Sequence, residues 1–94
     1  MKSLRWHPDA IADVNAAVTW GRDRWPVHSA ALADHLIDAV EPLGQFPLMG
    51  REGTAPGTRE WVVSHYPFFI VYEVTDADVH VLRLLHQHQQ WPPS

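Results

Sequence analysis

Apolar positions in the first quarter of the chain recur at helical spacing. Pro8 suits the first position of a helix, because its ring fixes the backbone angle φ and no N–H group is needed there. The helical pattern then continues to about Trp25, and residues 2–6 before it are predicted to form a short edge strand. Spacings of three and four residues place one stripe of this helix against a core. The stripe consists of Ile11, Val14, Val18, Gly21 and Trp25.

A second helix follows at once, because Pro26 ends the first helix and can begin the next. Two helices joined this tightly form a helical hairpin. Pro42 lacks a backbone N–H group and clashes with the preceding turn, so we expect a kink or a restart near Glu41 before the segment ends at residue 46. The apolar positions that keep the helical period are Leu32, Leu36, Ile37, Val40 and Leu43.

The second half of the chain has the patterns of a loop and three strands. Glycine and proline concentrate in residues 47–58 and predict a loop. Strands are predicted over residues 58–64, 68–75 and 79–86, and their short links require antiparallel pairing. In the middle strand, one alternating set should face the helices and the other should lie on a more open face. The first set is Phe68, Ile70, Tyr72 and Val74, and the second is Phe69, Val71, Glu73 and Thr75.

These elements predict one α+β domain over residues 1–94. The order is β-α-α-β-β-β, with the helical hairpin packed on one face of a small, mainly antiparallel sheet. No repeat, low-complexity tract or linker interrupts it.

Composition narrows the classes of function. Seven basic and eleven acidic residues give a net charge of −4, with Lys2 as the single lysine, which disfavours long-range attraction to nucleic acid. The chain has no cysteine and no apolar stretch long enough for a leader or a membrane span, so we expect a cytoplasmic protein without membrane contact. His80, His86 and His88 share strand parity, but they lack a matching carboxylate or thiolate, so we predict no metal and no cofactor.

The order of several short runs resembles that of a known family. These runs are Phe-Pro-Leu-Met-Gly-Arg over residues 46–51, Arg59, Phe-Ile-Val-Tyr-Glu-Val over residues 69–74, and Val-Leu-Arg-Leu-Leu-His over residues 81–86. Together they look like the RelE/ParE superfamily of toxins from bacterial type II toxin–antitoxin systems, and nearly the whole chain takes part. The resemblance implies a compact toxin neutralised by a cognate antitoxin whose disordered segment folds over it. Trp20, Trp25 and Trp61 are candidate antitoxin contacts, with core packing as the alternative for each.

The superfamily includes two activities, and the choice between them decides whether this chain is an enzyme. RelE-like members cleave mRNA on the ribosome, whereas ParE-like members inhibit DNA gyrase without a known hydrolytic site. Cleavage would need a base, an acid and cations at the phosphate, for which Arg59, Arg83 and His86 are candidates. The same three residues, with Arg51 and Trp91, are candidates for target binding.

Three features favour the ParE-like reading and argue against an enzyme. Phe69 occupies a strand position where the ribonucleases tend to carry arginine, their lysine-rich surface is missing because Lys2 is the only lysine, and no tyrosine follows His86. If the last strand is regular, Arg83 shares a face with Val81 and His86 shares the other with Leu84, so the two do not form a pair. An ion pair with Glu73 is an alternative role for Arg83, and a loop-anchoring salt bridge is one for Arg59. A non-toxic antitoxin-binding module remains a third hypothesis.

Overall fold

The computed structural model of the protein describes residues 1–24, 29–88 and 91. Within them the chain forms five strands and three helices. In chain order the elements are β1 (Ser3–Trp6), α1 (Pro8–Arg24), α2 (Ser29–Val40), α3 (Pro42–Gln45), β2 (Arg51–Glu52), β3 (Arg59–Val62), β4 (Phe68–Val74) and β5 (Asp78–His86).

The strands form one sheet in the order β1-β5-β4-β3-β2. Consecutive strands from β2 to β5 pair antiparallel, whereas β1 lies parallel to β5, with Ser3 opposite Asp78 and Trp6 opposite Val81. The α+β class, the order of elements and the helical hairpin on one sheet face are therefore confirmed. The two-residue strand β2 was not predicted. It lies in the segment predicted as a loop and pairs with β3.

The helices begin and break where the prolines predict. Pro8 is the first residue of α1, and α2 gives way at Glu41 to the short helix α3, which starts with Pro42. The missing N–H group of Pro42 thus produces a restart instead of one straight helix. The predicted end of the first helix at Trp25 lies outside the described residues, as does Pro26.

The core between the helices and the sheet differs from the prediction on the α1 side. Leu32, Leu36, Val40 and Leu43 are buried as predicted, and Tyr72 is fully buried at the centre of β4. In α1 the buried residues are Ala10, Ala17 and Gly21, whose small side chains let the helix approach its neighbours closely. The predicted stripe was wrong at Ile11, which is 50% exposed, and the prediction for Ile37, which is 45% exposed, was also wrong.

The opposite sheet face is not open, which corrects a second prediction. Phe69, Val71 and Leu85 are buried there in a small second cluster, with Leu82 and Trp91 packed against it. The set predicted to be more open is therefore covered at its centre, because side chains from β5 and from the C-terminal segment lie over it. We call this cluster the rear cluster.

A bulge in β5 breaks the regular alternation assumed for that strand. Val71 lies opposite Arg83 and Tyr72 opposite Val81, which leaves Leu82 as an extra residue. Val81 and Leu84 consequently belong to the same helix-facing cluster although they are three residues apart. The predicted shared face of Arg83 and Val81 does not hold in this bulged strand, because Val81 is in the helix-facing cluster whereas Arg83 lies opposite Val71 of the rear cluster; His86 lies opposite Phe68.

Candidate functional site

Arg59 supports the loop that precedes β2. Its Nη1 atom donates to the carbonyl oxygen of Gly50 at 2.7 Å and more weakly to that of Leu48 at 3.4 Å. Beside it, the Tyr72 hydroxyl accepts from the Gly50 N–H at 2.9 Å and donates to the Pro47 carbonyl at 2.8 Å. Burial raises the pKa of the Tyr72 hydroxyl, so the hydroxyl stays protonated and keeps donating. Arg59 therefore anchors the loop, through carbonyl groups instead of the salt bridge considered for it.

Arg51 is engaged with a buried carboxylate on the rear sheet face. Its Nε and Nη2 atoms donate to Glu60 Oε1 at 3.1 and 2.9 Å, and the Thr54 N–H donates to Oε2 at 3.3 Å. The Glu60 side chain is only 8% exposed, whereas that of Arg51 is 63% exposed. One edge of the Arg51 guanidinium thus stabilises the fold, and the rest is accessible to a partner.

Arg83 pairs with an aspartate of α1, not with Glu73 as considered from the sequence. Arg83 Nε donates to Asp13 Oδ2 at 2.6 Å and Nη2 donates to Oδ1 at 3.0 Å, a two-bond arrangement. Asp13 Oδ2 also accepts from the Leu84 N–H at 3.0 Å. The hydrogen bond to Asp13 raises the pKa of Arg83 further, so this charge is permanent. Glu73 pairs instead with His80, at 3.2 Å between Oε1 and Nδ1.

His86 lies in an aromatic cluster at the end of β5. Its ring centre is 5.4 Å from that of Trp20, 5.8 Å from Phe68 and 5.2 Å from His88. Trp20, Phe68 and His86 line, together with Asp13, a cleft of about 370 Å³ between α1 and β5. The cleft combines an imidazole with a carboxylate, but the carboxylate is committed to Arg83.

The three candidate catalytic residues do not gather at one point. Arg59 lies opposite Tyr72 on one side of β4, and His86 lies opposite Phe68 on the other side. Four residue steps along β4 and two strand spacings separate their Cα atoms by about 16 Å. Arg59 and Arg83 each donate to protein oxygens, so neither guanidinium is poised over a common phosphate site.

The tryptophans have packing roles in the structure. Trp20 packs against the helix-facing core, with the Arg24 guanidinium 4.3 Å from its ring centre. Trp61 packs against the same core and donates from Nε1 to the Ala39 carbonyl at 3.1 Å. Trp91 covers the rear cluster, 5.7 Å from the Arg83 guanidinium. Antitoxin contact by Trp20 and Trp61, and target contact by Trp91, stay predictions, and Trp25 lies outside the described residues.

Two exposed apolar surfaces were not predicted. The first consists of residues 46–49, where Phe46 is 56%, Leu48 67% and Met49 39% exposed. We call this segment the apolar arch. Tyr72 and Arg59 hold its backbone by hydrogen bonds to the carbonyl groups of Pro47 and Leu48. The second is a groove between α1 and α2 into which Ile11 and Ile37 project. The sequence did not predict these two surfaces, because a helical or loop pattern does not show which apolar side chains remain exposed to solvent.

Asp13, Glu60 and Tyr72 are the structurally decisive polar residues that the sequence did not reveal. Asp13 binds Arg83, 70 residues away, and Tyr72 binds Gly50, 22 residues away, whereas Glu60 binds Arg51 on the neighbouring strand. Only the predominantly apolar sequence around Tyr72 could have drawn attention to one of them.

The described part of the chain contains neither a cluster suited to a metal ion nor a membrane-spanning helix. No three histidine, aspartate or glutamate side chains meet there in a group that could hold a metal. No helix among those residues combines the length and apolarity needed to cross a bilayer.

Comparison with known proteins gives consistent matches over nearly the whole length. Residues 4–91 match the family model described as ParE toxin of type II toxin-antitoxin system, parDE. The chain is 32% identical over 91 residues to "Putative toxin Y4kP" of Sinorhizobium fredii, covering 97% of this chain and 94% of that protein. It is 34% identical over 86 residues to Toxin RelE2 of Caulobacter vibrioides, covering 92% and 96%.

Solved structures show the same fold. A chain of the chromosomal ParDE system from P. aeruginosa superposes with a TM-score of 0.84 at 26% identity, covering 92% of this chain and 96% of that one. A chain of the E. coli DinJ-YafQ toxin-antitoxin complex gives 0.61 at 16% identity, with 92% of each chain covered, which shows the fold alone. The family match over residues 4–91 establishes that this chain belongs to the ParE toxin family of type II toxin–antitoxin systems.

Proposed function

We propose that this toxin inhibits DNA gyrase by binding it, cuts no nucleic acid itself, and is neutralised by a cognate antitoxin. The observation that carries the proposal is the separate engagement of the candidate catalytic residues. Arg59 is used by loop carbonyls and Arg83 by Asp13, and their Cα atoms lie about 10 Å apart on opposite sides of β4, with Arg59 opposite Tyr72 and Arg83 opposite Val71. A phosphorane intermediate would need these cations at one place.

The exposed apolar surfaces support binding to proteins. Phe46 and Leu48 project into solvent from a backbone that Tyr72 and Arg59 hold in place. A rigid apolar segment loses little conformational entropy when it enters a partner's pocket, which favours tight contact. Arg51, largely exposed, lies just beyond the arch and can add a charged contact at its rim. We assign the apolar arch and Arg51 to target contact.

The test measures supercoiling of relaxed plasmid by purified gyrase with increasing amounts of the toxin. We expect inhibition, and we expect loss of inhibition when the toxin is first mixed with its antitoxin. Phe46→Ser/Leu48→Ser should weaken inhibition tenfold or more, whereas Val62→Ser, at a strand position that is 46% exposed, should not. Unimpaired supercoiling at toxin concentrations far above that of gyrase would refute the proposed target.

A ribosome-dependent mRNA endonuclease is the second candidate, because His86 and Asp13 line one cleft. That activity predicts codon-specific cleavage of mRNA on ribosomes and its loss in His86→Ala. Gyrase inhibition that His86→Ala leaves intact, with no cleavage, would exclude it. A non-toxic binding module would instead bind the antitoxin without arresting growth when expressed alone.

A further inference from the structure

The chain contains two sulfur atoms, both in methionine side chains. Because it has no cysteine, Met1 and Met49 are the only residues at which an oxidant could modify sulfur. Met1 is 96% exposed and Met49 is 39% exposed. Met49 belongs to the apolar arch, where its side chain lines one pocket with those of Phe46 and Leu48. The accessible thioether of Met49 is therefore part of the surface assigned above to target contact.

The Met49 side chain is not part of the folded core. Among the described residues, it belongs neither to the helix-facing cluster nor to the rear cluster. Its backbone is held independently of its side chain, because the Met49 N–H donates to the Phe46 carbonyl at 3.1 Å. The carbonyl groups on either side, those of Leu48 and Gly50, accept from Arg59. A chemical change at the Met49 sulfur should consequently alter the surface of the arch and leave its backbone in place.

We propose that Met49 is a site of reversible oxidation by peroxide, and that its sulfoxide weakens the target contact of the apolar arch. A lone pair of the Met49 sulfur attacks one oxygen of hydrogen peroxide, the O–O bond breaks, the S–O bond forms, and proton transfer lets water leave. The thioether loses two electrons and becomes the sulfoxide, and the peroxide is reduced to water. Methionine sulfoxide reductases reverse the change with electrons from a thiol reductant.

The sulfoxide changes what the arch presents to a partner. A thioether is apolar and adapts its shape to a pocket, whereas a sulfoxide oxygen is a hydrogen-bond acceptor that loses water when it is buried. Phe46, Pro47 and Leu48 next to it are apolar and offer that oxygen no side-chain donor. Target binding should therefore weaken roughly tenfold or more. This inference rests on the proposed function, which assigns the arch to target contact.

The test treats the purified toxin with hydrogen peroxide and locates the added oxygen by mass spectrometry of the protein and its peptides. Supercoiling of relaxed plasmid by gyrase then measures inhibition. We expect oxidation at Met49, and the toxin concentration for half inhibition should rise roughly tenfold or more. Treatment with the two methionine sulfoxide reductases, one for each epimer, and dithiothreitol should restore inhibition. The urea midpoint should be equal before and after oxidation, because the core is unchanged.

Met49→Leu is the matched control, because leucine has a similar volume and cannot be oxidised. The variant keeps Met1, so Met1 carries the only sulfur that peroxide can modify in it. Each protein is compared with its own untreated sample, and peroxide should leave inhibition by Met49→Leu at its untreated level. An equal loss of inhibition in the two proteins would overturn the proposal. So would a Met49 that peroxide leaves unmodified, undiminished inhibition by the oxidised wild type, or a fall of its urea midpoint.

Growth arrest distinguishes this inference from the proposed target. Met49→Gln introduces a polar side chain with an amide oxygen at the position of the sulfoxide, and at equal expression it should arrest growth less than Met49→Leu. Equal arrest by the two variants contradicts the inference and leaves the proposed target untouched. Absence of gyrase inhibition by the untreated wild type contradicts the proposed function, whereas the comparison of growth arrest tests the arch whichever target it contacts.

Discussion

Replacing Asp13 with alanine should cost more stability than any other change to an exposed or half-exposed acid of α1. The carboxylate accepts from Arg83 at 2.6 and 3.0 Å and from the Leu84 N–H at 3.0 Å. Its removal leaves a guanidinium and a strand-edge N–H without these bonds. Breaking a fully buried ion pair costs about 3–5 kcal/mol. Because the two side chains retain 18% and 28% exposure, we expect about 2–3 kcal/mol.

Urea unfolding followed by tryptophan fluorescence measures this loss. Asp23→Ala is the matched control, since Asp23 is an exposed acid on the same helix without a salt bridge in the described residues. The urea midpoint should fall for Asp13→Ala with little change in the slope m. A double-mutant cycle with Arg83→Ala should give a coupling of about 1 kcal/mol or more. A loss within about 0.5 kcal/mol of the control, or no coupling, would refute the assigned role.

Three further predictions concern the loop and the rear cluster. Tyr72→Phe should cost about 1–2 kcal/mol in urea unfolding, because Gly50 and Pro47 lose their partner. Burial raises the pKa of Tyr72, so the contribution of its hydroxyl to the free energy of unfolding is present below pH about 10 and is lost as pH rises through the folded-state pKa. The Tyr72→Phe variant should not show this alkaline loss of stability. Equal alkaline unfolding profiles of the two proteins would contradict the prediction. Gly50→Ala should destabilise by about 1–3 kcal/mol, because the added Cβ would lie 2.5 Å from the Tyr72 hydroxyl and 2.7 Å from the Glu60 carbonyl. Trp91→Ala should lower the urea midpoint by uncovering the rear cluster, and an unchanged midpoint would show that the cluster does not need this cover.

Local patterns were sufficient to predict the elements of this fold except β2. Pro8 and Pro42 predicted where helices begin because proline restricts its own backbone, and the alternation in β4 predicted which side faces the helices. The three hairpin strands were found within two residues of their observed ends. These features depend only on neighbours in the chain.

Contacts between distant residues explain what the sequence could not reveal. The bulge at Leu82 changes which side chains of β5 share a face of the sheet, and no residue type in β5 predicts a bulge there. Arg83 was given Glu73 as a possible partner because only strand neighbours were considered, whereas Asp13 is 70 residues away. Phe69 is buried in the rear cluster against which Trp91 packs, a contact that alternation within β4 cannot report.

The parallel pairing of β1 with β5 governs when the toxin acquires its structure during synthesis. Translation must add 71 residues after Trp6 before Asp78, the first residue of β5, is made. At about 5–20 residues per second, this interval lasts about 4–14 s. During that interval β1 has no strand to pair with, and Arg83, the ion-pair partner of Asp13, has not yet been synthesised. A chain that ends before β5 therefore lacks the sheet formed by β1, β5 and β4. We expect such truncated products not to arrest growth and not to be bound by the antitoxin.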